Sequence, residues 1–468
     1  WVGGGGRAVG GGGGFGGGGC KGGGGAALFR GMGRGGLGPG GGEEDRMARR
    51  VRRVSLGLGV VALLAGAASG AGPSVGAGDR FADLTAFLEG NPEFFPNGVG
   101  LAIVQDGAVI YRGEFHGFDA GRVEPIASST KWVSGLAIAE AISRGEGGLS
   151  VETPISAWVP SFFDSVSGDG EPDKRGITLV EAFSHQSGFG PNDTYQQVHL
   201  AWWLTHGAAV EAIAGFALSG EPGEQIIYGG IGMHAAGLAA ARAAGTDFTA
   251  FARDRLFDPL GMSSTDYDAF TGDGFVPTEN PGVAGSIRTT IDDYLRFLTM
   301  LNGWGEFGGE RVVSREAIEI LLTDWAGPGV VIERSPYQNY ELFVPGVGGF
   351  RTGFGCFVDP DRVSSSGEVR WATSAGLYGT NAWIDLERRI TGVLFTFNDE
   401  RWFLPPGDGG GSYNPSTRAF LQFVRPLVEA AVPVTCDADL SRDGVIGLDD
   451  LLRVLGAFGE TDGGDTDG

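Results

Sequence analysis

The stretch Ile126-Ala127-Ser128-Ser129-Thr130-Lys131 decides both the fold and the chemistry of this 468-residue chain. The residues after it, 131–144, carry apolar side chains at helical spacing, which predicts a helix with one apolar stripe. Ser128 therefore stands at the start of that helix. Lys131 lies one turn later on the same face, so the two side chains should meet.

This pairing of serine and lysine is chemically useful. A serine hydroxyl is a weak nucleophile until a base within hydrogen-bond reach takes its proton, and a lysine can be that base when burial lowers its pKa. The start of a helix adds free N–H groups where an oxyanion would form. The alternative is a plain N-cap serine followed by a solvated lysine. Lysine occurs only at Lys21, Lys131 and Lys174, which makes a chance pairing uncommon.

The composition limits the possible partners. Hydrophobic residues make up 42% and charged residues 19% of the chain, which is typical of globular proteins. The length allows one large or two medium domains plus appendages. The net charge of −23 argues against nucleic acid and anionic membranes as partners.

The first 71 residues do not resemble part of a folded domain. Residues 1–46 are dominated by glycine, which cannot build a packed core, and we interpret them as upstream sequence that is not translated. A real, disordered glycine-rich arm is the alternative. Residues 47–71 run from Met47 through basic, apolar and then small residues, the order of a secretory signal peptide. They predict a secreted, periplasmic or cell-surface protein with no membrane span after cleavage.

The order of predicted elements indicates an α+β fold. Two strands, 98–104 and 108–112, are joined by a turn and followed by the serine helix. Helices dominate from about 150 to 300, among them one predicted from 177 to Gly188, and a further helix is predicted over 314–322. Strands return between 353 and 397, and a final helix covers 416–432. We expect one domain over 78–432, an antiparallel sheet flanked by helices with a mainly helical insertion.

A second stretch makes the chain similar to a known family. The run 177–188 contains Thr178-Leu179 and ends Ser184-His185-Gln186-Ser187-Gly188. With Ser128 and Lys131 it resembles the serine β-lactamase and penicillin-recognising enzymes. The branch it resembles holds class C-like β-lactamases, D-amino-acid peptidases and related carboxylesterases. Asp258-Pro259-Leu260-Gly261-Met262 resembles a turn of the same family, and the similarity extends over about 80–430.

The resemblance implies roles for two further motifs. Tyr228 matches the tyrosine of a Tyr-x-Asn motif, which assists proton transfer at the serine, but Gly230 replaces the asparagine. That asparagine helps to hold the lysine and the substrate in the family. The third motif, Lys-Thr-Gly or His-x-Gly on a strand, matches Ser374-Ala375-Gly376, so a serine replaces the cation. By the family pattern, the N–H groups of Ser128 and Leu377 form the oxyanion hole. An ordinary strand tyrosine and a plain sheet edge are the alternative interpretations.

These departures favour one substrate class. A cationic third motif would pair with a substrate carboxylate, and Ser374 cannot. We therefore expect hydrolysis of a small-molecule ester, without a cofactor, over hydrolysis of a β-lactam or a D-peptide amide. A catalytically inactive binding protein on the same fold is the other alternative. A Ser-His-Asp hydrolase is disfavoured, because none of the five histidines pairs with a motif serine. Among them, His185 is expected to be a structural hydrogen-bonding residue.

The tail after Pro433 changes in composition and predicts a calcium site. Residues 439–450 fit the calcium-loop pattern, and the residues at the ligand positions are Asp439, Ser441, Asp443, Val445 through its carbonyl, and Asp450. Aspartate at the last position makes the segment 433–468 similar to a dockerin module, in which we expect one repeat and the start of a second, truncated repeat. A cohesin-like or cell-surface partner would follow from that resemblance. A simple acidic extension is the alternative.

Two cysteines remain after signal cleavage, Cys356 and Cys436. Export would permit a disulfide between them. Cys356 lies in a strand-like apolar run, however, which favours a small core residue instead.

Overall fold

The computed structural model describes residues 79–164, 173–191, 198–271, 274–327, 329–364, 367–398 and 414–434. They all belong to one structural unit that spans residues 72–468. The predicted signal peptide, the glycine-rich segment before it, the calcium-ligand residues 439–450 and Cys436 lie outside the described residues. Among the described helices, none is long and apolar enough to cross a membrane.

Seven antiparallel strands form the sheet at the centre of the fold, in the order β11-β12-β13-β14-β15-β1-β2. The strands are β1 (Val99–Gln105), β2 (Ala108–Phe115), β3 (Glu124–Pro125), β4 (Gln225–Ile227), β5 (Ala269–Phe270), β6 (Phe275–Val276), β7 (Arg288–Thr289), β8 (Glu306–Phe307), β9 (Glu310–Arg311), β10 (Val331–Arg334), β11 (Arg351–Thr352), β12 (Phe357–Val358), β13 (Trp371–Ala375), β14 (Asn381–Asp385) and β15 (Ile390–Phe395). The predicted β1–β2 hairpin is present. The strands outside the sheet form two-stranded ladders, of which β4–β10 is parallel.

Helices cover both faces of the sheet, and most of them lie between β2 and β11 in the sequence. They are α1 (Ala82–Gly90), α2 (Thr130–Ser143), α3 (Pro160–Asp164), α4 (Leu179–Phe183), α5 (His206–Ala214), α6 (Ile231–Ala243), α7 (Phe248–Ala252), α8 (Asp258–Leu260), α9 (Ile291–Asn302), α10 (Arg315–Leu322), α11 (Pro415–Ala419) and α12 (Arg425–Ala431). This arrangement confirms the α+β class with a large antiparallel sheet.

Strand β1 separates two hydrophobic cores. Ala102 and Val104 belong to the core that includes α2 and α9, whereas Leu101 and Ile103 belong to the core that includes α1 and α12. Successive side chains of a strand point to opposite faces, so a strand covered on both sides is apolar at every position. The molecule is therefore layered as helices, sheet and helices.

The serine helix α2 differs from its prediction. Every residue from Thr130 to Ala141 is buried, so the expected single apolar stripe is wrong. The helix contacts α10, α6 and α7 on different sides, and Gly135 packs against the Phe354 carbonyl. Small residues such as Ala137 and Ala139 allow this close approach all around. The helix start is thus held in place from several directions.

The helix predicted over 177–188 is shorter than expected. It begins at a capping box formed by Thr178 and Glu181 but ends at Phe183, not at Gly188. The reason is His185, whose φ of +63° cannot continue a right-handed helix. Ending the helix early places this imidazole against the ring of Tyr228.

Cys356 is a buried free thiol whose Sγ lies 3.3 Å from the Leu321 carbonyl oxygen. Burial raises the pKa of this thiol to about 12. It therefore packs as a small core residue, as its apolar surroundings in the sequence favoured.

Candidate active site

Ser128 lies in a one-turn 3₁₀ helix, Ala127–Ser129, directly before α2. Ala127 has a φ of +44°, a conformation that non-glycine residues rarely adopt and that costs on the order of 1–3 kcal/mol. The Ser128 side chain is half-buried, whereas Ser129 is fully buried. The strained turn thus exposes one of the two neighbouring serines and hides the other.

Lys131 meets Ser128 as the spacing predicts. Its Nζ donates to the Ser128 Oγ at 2.9 Å and to the Ala284 carbonyl oxygen at 2.9 Å. Only 2% of Lys131 is exposed, and no ion pair joins it to a carboxylate among the described residues. The Nζ atom is therefore held by two neutral oxygens, one of which is the serine hydroxyl.

Tyr228 packs against Lys131, whose Nζ lies 4.8 Å from the centre of the tyrosine ring. Within the described part of the chain, the Tyr228 hydroxyl makes no hydrogen bond to Ser128 or Lys131. The His185 ring packs against Tyr228 with centroids 4.6 Å apart, and its Nδ1 accepts the Gly229 N–H at 3.3 Å. His185 is thus the structural hydrogen-bonding residue expected, and it positions the tyrosine.

The residues of the third motif join the serine turn to strand β13. The Ser129 Oγ donates to the Ser374 carbonyl oxygen at 2.5 Å. The Ser374 Oγ donates in turn to the Ser128 carbonyl oxygen at 3.4 Å, a long hydrogen bond. Ser374, expected beside the substrate, therefore contacts the backbone of Ser128 in this structure.

Gly376 and Leu377 follow directly after strand β13. A Cβ on Gly376 would lie well within 3.0 Å of the Ile126 carbonyl oxygen, so only glycine fits this contact. Neither the Leu377 N–H nor the Ser128 N–H donates a hydrogen bond within the described residues. Both donors are therefore available to a ligand, as an oxyanion hole requires.

Gly230 replaces the asparagine of the second motif, and residues from other segments occupy the space beside it. A Cβ at this position would lie 2.8 Å from the Ala284 Cβ and 3.2 Å from the His199 Nε2. His199 belongs to a 3₁₀ turn, Val198–Leu200, and is only 2% exposed. The imidazole of His199 therefore lies next to the position at which Gly230 has no side chain.

The charge of Lys131 contributes to lowering the pKa of two histidines. Burial, followed by the charge of Lys131, lowers the pKa of His185 to about 3 and the pKa of His199 to about 3. Both rings are thus neutral at physiological pH. Each neutral imidazole offers one donor and one acceptor without adding positive charge.

No group of three or more histidine, cysteine, aspartate or glutamate residues is arranged to hold a metal ion in the described ranges. The residues around Ser128 supply a hydroxyl, an amine, a phenol and free N–H groups. Such a set is suited to acyl transfer through a covalent intermediate.

The family model for beta-lactamases matches residues 96–402, more than half of the chain. The match includes Ser128, Lys131, Tyr228 and Gly376. The chain belongs to the beta-lactamase family. This family consists of serine hydrolases, and it includes esterase relatives.

Two curated proteins and one solved structure are similar to this chain. Protein Rv1367c of Mycobacterium tuberculosis is 26% identical over 286 residues, which cover 47% of this chain and 69% of that protein. Lovastatin esterase of Penicillium rubens is 25% identical over 239 residues, 46% of this chain and 58% of its own length. The LovD6 mutant of simvastatin synthase from Aspergillus terreus shares the fold with a TM-score of 0.55 and 15% identity. The match covers 75% of this chain and 97% of the simvastatin synthase chain.

Sequence reasoning missed two residues of the site in this beta-lactamase family member. Ala284 holds Lys131 through its backbone, and a carbonyl leaves no signal in a sequence. His199 lies next to Gly230 although 31 positions separate them in the numbering. The missing side chain at Gly230 was the only clue that another residue could occupy that space.

Proposed function

We propose that this chain is a serine esterase that forms an acyl-enzyme on Ser128. The observation that carries the proposal is the contact of 2.9 Å between the Lys131 Nζ and the Ser128 Oγ. It joins a half-exposed hydroxyl to an amine that has no acidic partner among the described residues. An amine that is not paired with a carboxylate can take up and release a proton at the serine.

The proposed reaction has two halves. The Ser128 Oγ attacks the ester carbonyl carbon while its proton passes to the Lys131 Nζ, which lies against the ring of Tyr228. The oxyanion accepts hydrogen bonds from the N–H groups of Ser128 and Leu377. The ester C–O bond then breaks, and the alcohol leaves with the proton from Lys131. In the second half a water molecule repeats these steps, and it releases the carboxylic acid and restores Ser128.

Two observations favour an ester over a β-lactam or a D-peptide. Recognition of a substrate carboxylate calls for a cation, but position 374 offers a serine hydroxyl that is already directed at the Ser128 carbonyl. The similarity to a protein named lovastatin esterase agrees with an ester substrate. An ester also has a better leaving group than an amide and so makes smaller demands on the site.

The test is a substrate panel on the purified chain: p-nitrophenyl butanoate, a chromogenic cephalosporin and a D-alanyl-D-alanine peptide. We expect the highest kcat/KM for the ester and loss of all turnover in Ser128→Ala, with a fluorophosphonate label on Ser128 in the wild type. Preferred cleavage of the cephalosporin or the peptide would replace the esterase assignment. Ester turnover that survives Ser128→Ala would refute the proposed nucleophile.

A further inference from the structure

His199 is a buried polar side chain with unused hydrogen-bonding capacity. Its Nδ1 has no hydrogen-bond partner within the part of the chain that the structure describes. A buried polar atom without a partner destabilises the folded state, and folded proteins contain few of them. The fold therefore retains this imidazole at a cost, which points to a role other than stability.

The position of the ring relates it to the serine and its base. The Cδ2 and Nε2 atoms would lie 3.3 Å and 3.2 Å from a Cβ on Gly230, so the ring edge covers the bare glycine. The Cβ of Ala284 also lies next to Gly230, and the Ala284 carbonyl oxygen accepts a hydrogen bond from the Lys131 Nζ. Only one residue thus separates the imidazole from the group that contacts Ser128.

The turn that carries His199 does not depend on the ring for its anchorage. Asn280 donates from its Nδ2 to the Ala201 carbonyl oxygen at 3.1 Å, and the Thr278 hydroxyl donates to the Trp202 carbonyl oxygen at 2.8 Å. The Asn280 Oδ1 in turn lies 2.9 Å from the His234 Nε2. These contacts fix the backbone of the turn without the ring, and the nitrogen of His199 that faces Gly230 is Nε2, not the enclosed Nδ1.

We propose that His199 is a substrate-contacting residue, whose imidazole over Gly230 hydrogen-bonds a polar group beside the scissile ester. The inference rests on the esterase function proposed above and names its substrate class. The substrates are esters with a neutral oxygen, such as an ether or a hydroxyl, next to the ester group. A neutral imidazole suits such a group because it supplies one donor and one acceptor.

The test uses pairs of esters that differ only by an oxygen in place of a methylene. On the acyl side these are p-nitrophenyl methoxyacetate and p-nitrophenyl butanoate. On the alcohol side they are 2-methoxyethyl butanoate and butyl butanoate, followed by pH-stat. The quantity measured is the ratio of kcat/KM within each pair. Intrinsic reactivity cancels when one ratio is compared between wild type and variant.

In His199→Leu we expect one of the two ratios to fall about tenfold, because one hydrogen bond to the oxygen is lost. The pair that responds shows which side of the ester His199 contacts. His199→Gln, which restores a neutral donor and acceptor, should bring the ratio back to within about threefold of wild type. His206→Leu is the matched control, since His206 is also buried but contacts His234 instead of Gly230. Its ratios should equal those of the wild type.

A purely structural role for His199 would lower both members of a pair equally and leave both ratios unchanged, which would overturn the proposal. If circular dichroism shows that His199→Leu does not fold, His199→Met carries the same comparison. A wild-type chain that turns over none of these esters would refute the esterase function and this proposal together. A wild-type chain that is active on esters, with unchanged ratios in the variants, would overturn only the role of His199.

Discussion

Gly376→Ala tests whether the end of strand β13 forms one side of the oxyanion hole. The added Cβ would lie well within 3.0 Å of the Ile126 carbonyl oxygen, which already accepts the Ser129 N–H at 3.0 Å. Two backbone segments cannot yield like a flexible side chain. They must separate by about 1 Å to reach an ordinary van der Waals distance.

That separation would move the Leu377 N–H relative to Ser128. A donor displaced by about 1 Å from a hydrogen-bond distance of about 2.9 Å no longer stabilises the oxyanion. Loss of one such donor costs about 10²–10³ in rate, or about 2.7–4 kcal/mol. We therefore expect kcat/KM for p-nitrophenyl butanoate to fall by that factor.

Gly349→Ala is the matched control, because nothing lies within 4 Å of a Cβ there and its activity should be unchanged. Near-ultraviolet circular dichroism and thermal melting establish that Gly376→Ala is folded. A folded Gly376→Ala enzyme within threefold of wild-type kcat/KM would refute the reasoning. The oxyanion would then have to be stabilised by groups other than those at the end of β13.

Four further predictions concern the two neighbouring serines, Lys131, His206 and the C-terminal tail. Ser128→Ala should abolish fluorophosphonate labelling, whereas Ser129→Ala should stay active and lose only about 1 kcal/mol of stability with its buried hydrogen bond, as measured by labelling and urea unfolding. Lys131→Arg should lose esterase activity in a steady-state assay although its charge is kept, because a guanidinium does not deprotonate. Burial lowers the pKa of His206 to about 4. As the pH falls below 6.5, this imidazole therefore becomes protonated in the unfolded chain while it stays neutral in the folded chain. His206→Gln should therefore remove up to about 1.4 kcal/mol per pH unit of acid destabilisation between pH 6.5 and 4, as measured by denaturant titrations. Calorimetry should show weak calcium binding by the full chain, with a Kd of about 10⁻⁴–10⁻³ M, that Asp443→Ala reduces; equal heats would make the tail an acidic extension.

Local spacing predicted the parts of the fold and site that depend on local geometry. The one-turn separation of Ser128 and Lys131 places their side chains in contact, as any helix start would. Alternating and continuous apolar runs likewise located the β1–β2 hairpin. Ser128, which this spacing pairs with Lys131, is half-buried, whereas the neighbouring Ser129 is fully buried.

Contacts between distant segments could not be predicted in this way. The full burial of α2 results from neighbours on several sides, which the sequence of the helix does not reveal. Ala284 reaches Lys131 from 153 positions away through a backbone atom that every residue possesses. His185 ends its helix early because tertiary packing against Tyr228 outweighs local helix propensity.

The order of strands in the central sheet has a consequence for how the protein folds. Strand β1 pairs with β15, where Gly100 faces Phe395, and Ser129 binds Ser374 across 245 positions of sequence. Contacts between segments so distant in sequence form late in folding, because the conformational entropy of a large loop must be lost before they form. On the ribosome the β1–β2 hairpin emerges long before its partner strand is synthesised. Recovery of esterase activity after dilution from denaturant should therefore lag behind the return of helical circular dichroism, and activity would report the final closure of the sheet.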